Sequence, residues 1–469
     1  MSAIVRRTAV IDPQLNDAIE ELRARFDERI STGQSVRELH GRDESWHPPA
    51  LPDAVVFPRT TEEISAICQI CSRYKVPMIA FGAGSSIEGA LIPVTGGIAI
   101  STIEMDKLLH VDPISFNCTV QPGIRRRKLN EELRDTGLFF TVDPGADASI
   151  GGMIATRASG TNTVRYGTMA DVVLGLEVVL ADGRVVRTGS RARKSSAGYD
   201  LTHLFTGSEG TLGIVTEITV RLAPQPEVIA SATCAFPDLK NAVDAAVALI
   251  GSGMGLARVE LLDEMMIDAV NLYSKTDLEL APHLFLEFHG TTESTEAEAE
   301  LAASIVEDHG GSAFQWSTRA EDRNRLWRAR HDCAYACMAY RPSKKMLTTD
   351  VCVPRSALAD CILQSRHDAE EKGLTAPVLG HVGDGNFHMA LLIDPDDASE
   401  LSAARAVSSS LVERALAAGG TATGEHGVGL GKRGYMRREH GDNAVELMAG
   451  IKKLFDPDNL MNPGKVLPD

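Results

Sequence analysis

The pattern of apolar and polar positions changes character twice along the chain. Up to about residue 45 it is that of a charged helical lead-in, clearest in DAIEELRARFDERI. Pro48-Pro49-Ala50-Leu51-Pro52-Asp53 reads as an extended linker, because proline fixes φ and restricts the residue before it. Ala54 to Phe57 is a short apolar run closed by Pro58, which predicts a strand. Thr60-Thr61-Glu62-Glu63 has the form of a capping box, and Ile64, Ile67, Cys68 and Cys71 behind it follow the 3.6-residue period of a helix. Val76 to Phe81 is the next strand and runs into Gly82-Ala83-Gly84-Ser85-Ser86. From there to about residue 222 the pattern is short strands and glycine turns, with Ala181-Asp182-Gly183-Arg184 as a hairpin turn.

After Pro224-Gln225-Pro226 the periods lengthen. LKNAVDAAVALIGSG, ARVELLDEMMIDAVNL, HLFLEFHG and ESTEAEAELAASIVEDHG alternate longer helices with strands, which predicts a second, α+β domain. The chain closes with a helical stretch, NAVELMAGIKKLF, and then Met461-Asn462-Pro463-Gly464-Lys465. The predicted organisation is a helical segment 1–45, a domain 46–225, a second domain 226–425 and a returning segment 426–469.

Composition narrows the function classes. A length of 469 residues suits two or three domains, and 43% apolar residues give them ample core. The formal net charge of -17 argues against nucleic acid and anionic membrane surfaces as partners. No apolar run reaches transmembrane length, and MSAIVRRTAVIDPQ lacks the apolar region of a signal peptide, so a cytoplasmic, reduced protein is expected. The eight cysteines do not suggest a disulfide scaffold. Cys68-x2-Cys71 and Cys333-x3-Cys337 lie inside helical patterns and read as core packing rather than cluster ligands.

The densest chemistry is His381-Val-Gly-Asp-Gly-Asn-Phe-His388 together with Gly424-Glu425-His426-Gly427. Asp384-Gly385 favours a two-residue hairpin turn, which would pair Gly383 with Asn386, Val382 with Phe387 and His381 with His388. Opposed residues share a sheet face, so two imidazoles would stand together, and Glu425 would complete a three-ligand divalent metal site with an open position. Two phosphate motifs fail. Gly82-x-Gly84 lacks the third glycine of the dinucleotide fingerprint, since position 87 is Ile87, and Gly431-Lys432-Arg433 lacks the hydroxyl residue of a P-loop. A glycine-serine turn can still cradle a diphosphate through its N–H groups. Asp143-Pro144-Gly145-Ala146, Ile150-Gly151-Gly152, Ser159-Gly160-Thr161-Asn162 and Arg165-Tyr166-Gly167 form a second region where backbone could lie close to a ligand.

PRTTEEI, FGAGSSIEG, QPG, DPGADASIGGMIA, GLEVVLADG, TGSEGTLGIVTE, GHVGDGNFH, TGEHGVGLGK and NPGK occur in that order from about residue 45 to the C-terminus. In this the chain resembles the FAD-linked oxidoreductases of the vanillyl-alcohol oxidase superfamily, and within them the D-lactate dehydrogenase (cytochrome) and glycolate oxidase flavoprotein group. The resemblance implies an α+β fold: a two-subdomain FAD-binding part with an α+β cap domain for the substrate. The diphosphate would lie on Gly82, Ala83, Gly84, Ser85 and Ser86, and on Pro144, Gly145, Ala146, Ser149, Gly151 and Gly152. Ser159, Gly160, Asn162, Tyr166 and Gly167, with Gly210, Ile214, Val215 and Asn462, would complete the FAD site. His381, His388 and Glu425 would be the ligands of Zn or Mn, His426 the base, and Arg330 of LWRAR the substrate-carboxylate clamp.

On that resemblance the reaction is oxidation of a D-2-hydroxy acid, D-lactate to pyruvate. The C2 hydride goes to flavin N5, and the hydroxyl, acidified by the metal, yields its proton to His426. Arg330 would fix C2 over N5. The branch acting on D-2-hydroxyglutarate tends to carry a lysine where Thr348 stands and an asparagine where Ala390 stands, so a short monocarboxylate is expected, with Arg341, Lys344 and Lys345 as nearby substitutes. Expected partners are the substrate, an electron acceptor such as cytochrome c, a quinone or an electron-transfer flavoprotein, and a second copy of the chain in a homodimer. Glycolate or D-2-hydroxyglutarate oxidation remains open, as does a flavin-free metallohydrolase on the same His-His-Glu set. A non-enzymatic subunit is disfavoured by the intact Glu425-His426 pair.

Overall fold

A computed structural model describes residues 13–468. The chain divides into two compact units. The first gathers the described parts of Met1–Ser159, Thr168–Gln225 and Glu425–Asp469; the second takes Gly160–Gly167 and Pro226–Gly424.

In the first unit the helix Pro13–Phe26 buries Ala18, Leu22 and Phe26, one residue per turn. The lead-in does not end as helix. Ile30–Ser31 forms a strand antiparallel to Ala54–Val56, which continues in parallel through Ile98–Ser101 to Met78–Phe81. Two residues amid charged neighbours carry no alternation, so this edge strand leaves no pattern to read. Thr61–Arg73 is the helix that Thr60 caps, accepting from Glu63 N–H. The capping box closes differently from the reciprocal form: the Glu63 carboxylate takes Arg59 N–H and the Arg29 guanidinium. Ile64, Ile67, Cys68 and Cys71 all enter one core with Val56, Met78, Ile98 and Ile100. Each fully buried isoleucine there contributes about 2 kcal/mol through the area it removes from water. Burial pushes the Cys71 thiol up to about 12, as suits a packing residue rather than a thiolate ligand.

A five-stranded antiparallel sheet follows in the order Leu108–Asp112, Asn117–Val120, Ile214–Arg221, Val173–Val179, Val185–Gly189. Its last two strands are the hairpin predicted at Asp182-Gly183, with Gly183 at φ +85°. Val120, Val178, Ile218 and Val220 pack with Ile150, Met153 and Ile154 of the helix Ile150–Thr156. The helix Asp442–Phe455 docks on the same core through Ile451 and Phe455.

The second unit is built on an antiparallel sheet. Its order is Ser312–Ser317, Val228–Ala235, His283–Gly290, Leu256–Leu262, Val378–Gly380, Asn386–Ile393 and Lys345–Thr348, and Val351–Cys352 also pairs with Asn386–Ile393. The helices Glu264–Ser274, Ala320–His331 and Cys333–Tyr340 share a core with Leu262, Phe285, Ala390 and Leu392, and Cys333 and Cys337 sit inside it.

Candidate active site

The histidine loop is wider than its sequence suggests. Leu379 lies opposite His388 and Val378 opposite Met389, so the tight hairpin pairing His381 with His388 does not form. A two-residue turn of that type needs positive φ at both central residues. Only Gly385 has it, at +86°, while Asp384 N–H closes an ordinary turn on the His381 carbonyl. The loop therefore spans 381–385, and Asn386 N–H reaches the His381 carbonyl. His388 is two residues beyond Asn386, hence diagonal to His381 on the same face. The imidazoles still meet, with ring centroids 5.7 Å apart and planes at 86°.

Each ring is anchored through Nδ1. His381 Nδ1 donates to Glu260 Oε1 at 2.6 Å and His388 Nδ1 to the Thr349 carbonyl at 3.1 Å. That tautomer puts the lone pair of each ring on Nε2, the atom a metal would take. Glu260 is fully buried, and its other oxygen receives Arg330 Nε at 2.9 Å and Nη2 at 2.6 Å. Burial pushes the Glu260 carboxyl up, but His381 and Arg330 together hold it below the ordinary carboxylate value. Asp350, also fully buried, accepts from Asn386 Nδ2 and from Thr423 Oγ1, both at 2.8 Å, and its Oδ1 stands 3.6 Å from His388 Nδ1. Gly424 follows Thr423 and leaves no room for a Cβ against Asn386. In the LWRAR segment burial separates the cations: Arg330 is buried, whereas Arg328 and His331 are exposed.

Glu425 and His426 belong to the first unit. Glu425 Oε2 accepts from Ser159 Oγ at 2.6 Å, and Glu425 Oε1 lies 3.8 Å from His426 Nε2. The turn behind them is pinned by Glu209, which accepts Val428 N–H at 2.6 Å and Gly429 N–H at 2.9 Å. Burial pushes the Glu209 carboxyl up to about 7 against those bonds and the Lys465 charge.

The same unit holds the glycine loops. Among the described residues the backbone N–H groups of Ala83, Gly84, Ser85 and Ser86 donate to no protein acceptor, and Ser86 Oγ is buried without a partner. Gly84 is at φ +79°. The N–H groups of Gly145 and Ala146 are likewise unclaimed, and a Cβ on Gly145 would meet nothing within 4 Å. Gly82 packs directly on Ser149 Oγ, which caps the helix Ile150–Thr156, so loop and turn are adjoining walls. A concave patch of unclaimed N–H groups suits a diphosphate.

Other predicted residues are placed less simply. Gly151 is pinned against Pro122, and Gly210 is held at φ +70°. Ile214 puts its side chain into the core, and Val215 is half-buried. Asn462 Nδ2 braces the carbonyls of Ala90 and Glu209. In the second unit Asn162 Oδ1 accepts from Arg258, Tyr166 bonds His289 at 2.7 Å, Gly160 N–H bonds Thr163, and Gly167 ends that short helix. Thr348 lies directly opposite Ala390. Lys344, a candidate substitute cation, is paired with Glu400. Sequence reading missed Glu260, Asp350 and Glu209. For the first, the only signal is a carboxylate in the middle of an apolar strand, Ala257-Arg258-Val259-Glu260-Leu261-Leu262.

A sheet-and-helix unit carrying an anion cradle, joined in one chain to a unit carrying a histidine pair, is the build of a flavin-linked oxidoreductase. The chain belongs to the FAD linked oxidases: the model of their C-terminal domain matches residues 225–466, and that of the FAD binding domain matches residues 52–189. It is 51% identical over 444 residues to a probable mitochondrial D-lactate dehydrogenase of Danio rerio, covering 94% of this chain and 89% of the relative. It is 44% identical over 456 residues to the mitochondrial D-lactate dehydrogenase [cytochrome] of Arabidopsis thaliana, covering 96% and 80%. The fold matches that of p-cresol methylhydroxylase with substrate bound at a TM-score of 0.82 and 18% identity, over 100% of this chain and 99% of that one. The vanillyl-alcohol oxidase type of fold expected from the motifs is therefore the fold of the chain.

Proposed function

We propose that the protein is an FAD-dependent dehydrogenase that oxidises D-lactate to pyruvate and passes the electrons to a cytochrome. The observation that carries the mechanism is the pair of imidazoles, each with Nδ1 donating to a protein oxygen, the tautomer whose Nε2 has the electron pair of a metal ligand. Two such nitrogens and the Glu425 carboxylate make a donor set suited to Zn or Mn. Chain continuity supports Glu425 as the third ligand, because Thr423 is bonded to Asp350 beside His388 and only Gly424 intervenes. The unclaimed N–H groups at 83–86 and 145–146 fit the FAD diphosphate, with the remaining glycine-region residues lining the rest of the cofactor.

When bound, FAD supplies a two-electron acceptor, and the cation supplies Lewis acidity. The chain supplies binding and proton handling. Arg330 attracts the substrate carboxylate, and Glu260 fixes its guanidinium through Nε and Nη2. His426 takes the hydroxyl proton onto a ring nitrogen as the C2 hydride departs. The short Thr348 and Ala390 pair puts no cation at either of these two positions for a second carboxylate, which favours a monocarboxylate. The names of the two D-lactate dehydrogenase relatives support the same substrate, and the Arabidopsis name supports the cytochrome. His426→Ala should keep its yellow FAD and lose turnover by about 100- to 10,000-fold; turnover within a few-fold of wild type would remove His426 as the base.

A further inference from the structure

Glu260 is the fully buried carboxylate of the second unit whose two oxygens serve two different functional groups. It stands on Leu256–Leu262, an interior strand held on both sides by His283–Gly290 and Val378–Gly380. Oε1 accepts from His381 Nδ1 at 2.6 Å, and Oε2 accepts from Arg330 Nε and Nη2 at 2.9 and 2.6 Å. An ionised carboxylate can only accept, so His381 must carry its proton on Nδ1 and present Nε2 as a lone pair. The same anion compensates the buried Arg330 cation and fixes the plane of its guanidinium.

We propose that Glu260 is a positioning residue that sets the metal-binding tautomer of His381 and the orientation of Arg330 with one carboxylate. The inference rests on the proposed metal and substrate roles of those two residues. A substrate whose hydroxyl and carboxylate lie on adjacent carbons needs its two anchors at a fixed spacing. A rigid strand carboxylate touching both anchors provides that spacing. Glutamine at this position cannot serve both. If its amide oxygen keeps Arg330, its NH2 faces His381 Nδ1, which must become the acceptor, and the proton moves to Nε2, where a metal would bind.

The test uses the full-length, FAD-loaded protein stripped of metal by a chelator and titrated with Zn2+ against a chromophoric competitor. Glu260→Gln should bind Zn2+ about 10- to 100-fold more weakly while keeping FAD content. Arg330→Lys should keep near-wild-type Zn2+ affinity and raise KM for the hydroxy acid more than it lowers kcat. If Glu260→Gln does not fold, Glu260→Asp takes its place: it retains the negative charge beside Arg330, draws the carboxylate one methylene back from both partners, and should also weaken Zn2+. Wild-type Zn2+ affinity in the folded Glu260 variant would overturn the proposal, as would an equal loss of Zn2+ in Arg330→Lys, which would mark a plain structural ion pair. Wild-type protein that binds no divalent cation would instead overturn the metal role on which the proposal stands.

Discussion

Gly82→Ala tests whether the 82–86 loop and the 145–152 turn are two walls of one cradle. A Cβ on Gly82 falls well inside contact distance of Ser149 Oγ but at an ordinary 3.6 Å from Ser149 Cβ. Relief requires Ser149 to turn its hydroxyl away from Gly152 N–H, 3.3 Å distant, and so to give up the cap of Ile150–Thr156. Losing such a cap costs about 1 kcal/mol. Gly82→Ala and Ser149→Ala should therefore each lower the unfolding free energy of the apoprotein by about 1 kcal/mol. The double variant should cost no more than Ser149→Ala alone, because the clashing atom is gone, leaving a coupling of about 1 kcal/mol. Gly145→Ala is the contrasting change. Its Cβ meets no protein atom within 4 Å, so stability should move by less than about 0.5 kcal/mol. If a phosphate occupies that space, the loss of one charge-assisted bond of about 1.5–3 kcal/mol should weaken FAD by roughly 10- to 100-fold. Urea unfolding reads the first set and fluorescence titration of apoprotein with FAD the second. Additive costs in the double variant, or unchanged FAD affinity in Gly145→Ala, would refute the cradle.

Two further changes probe the second unit. Asp263 caps Glu264–Ser274 through Met266 N–H at 2.7 Å, and burial pushes its carboxyl from an ordinary 3.8 up to about 7. A raised carboxyl means the folded state holds the proton more tightly, so this stabilisation is complete below pH 3.8 and lost as pH rises through 7, at most about 4 kcal/mol. Asp263→Asn keeps the cap and cannot titrate, so its stability relative to wild type should rise between pH 5 and pH 8 in denaturant unfolding; a flat difference would contradict the burial argument. Thr348→Lys places a cation opposite Ala390, on the strand of His388, and should raise kcat/KM for D-2-hydroxyglutarate relative to D-lactate by about tenfold or more, the worth of one charged hydrogen bond. An unchanged ratio would remove this pair from substrate selection.

What the sequence made legible follows the range of each signal. Helices with a clear period, such as Thr61–Arg73 and Asp442–Phe455, and the Asp182-Gly183 hairpin are local and read correctly. The His381 loop shows the limit. Asp-Gly favours a tight turn, but whether both residues adopt positive φ is decided by the strands around it, so the register was misread while the meeting of the two rings was not. Ile30–Ser31 is a strand only because Ala54–Val56 offers it an edge. Glu260 was invisible for a related reason: a carboxylate within an apolar run declares itself only once its partners, 70 and 121 residues away, are brought to it.

Anaerobic visible spectroscopy of the purified protein, before and after D-lactate, bears most directly on the proposed function. The account predicts an oxidised flavin band that bleaches with D-lactate and persists with L-lactate. A flavin band indifferent to D-lactate would contradict the proposed substrate, and a protein that takes up no FAD would contradict the cofactor site itself.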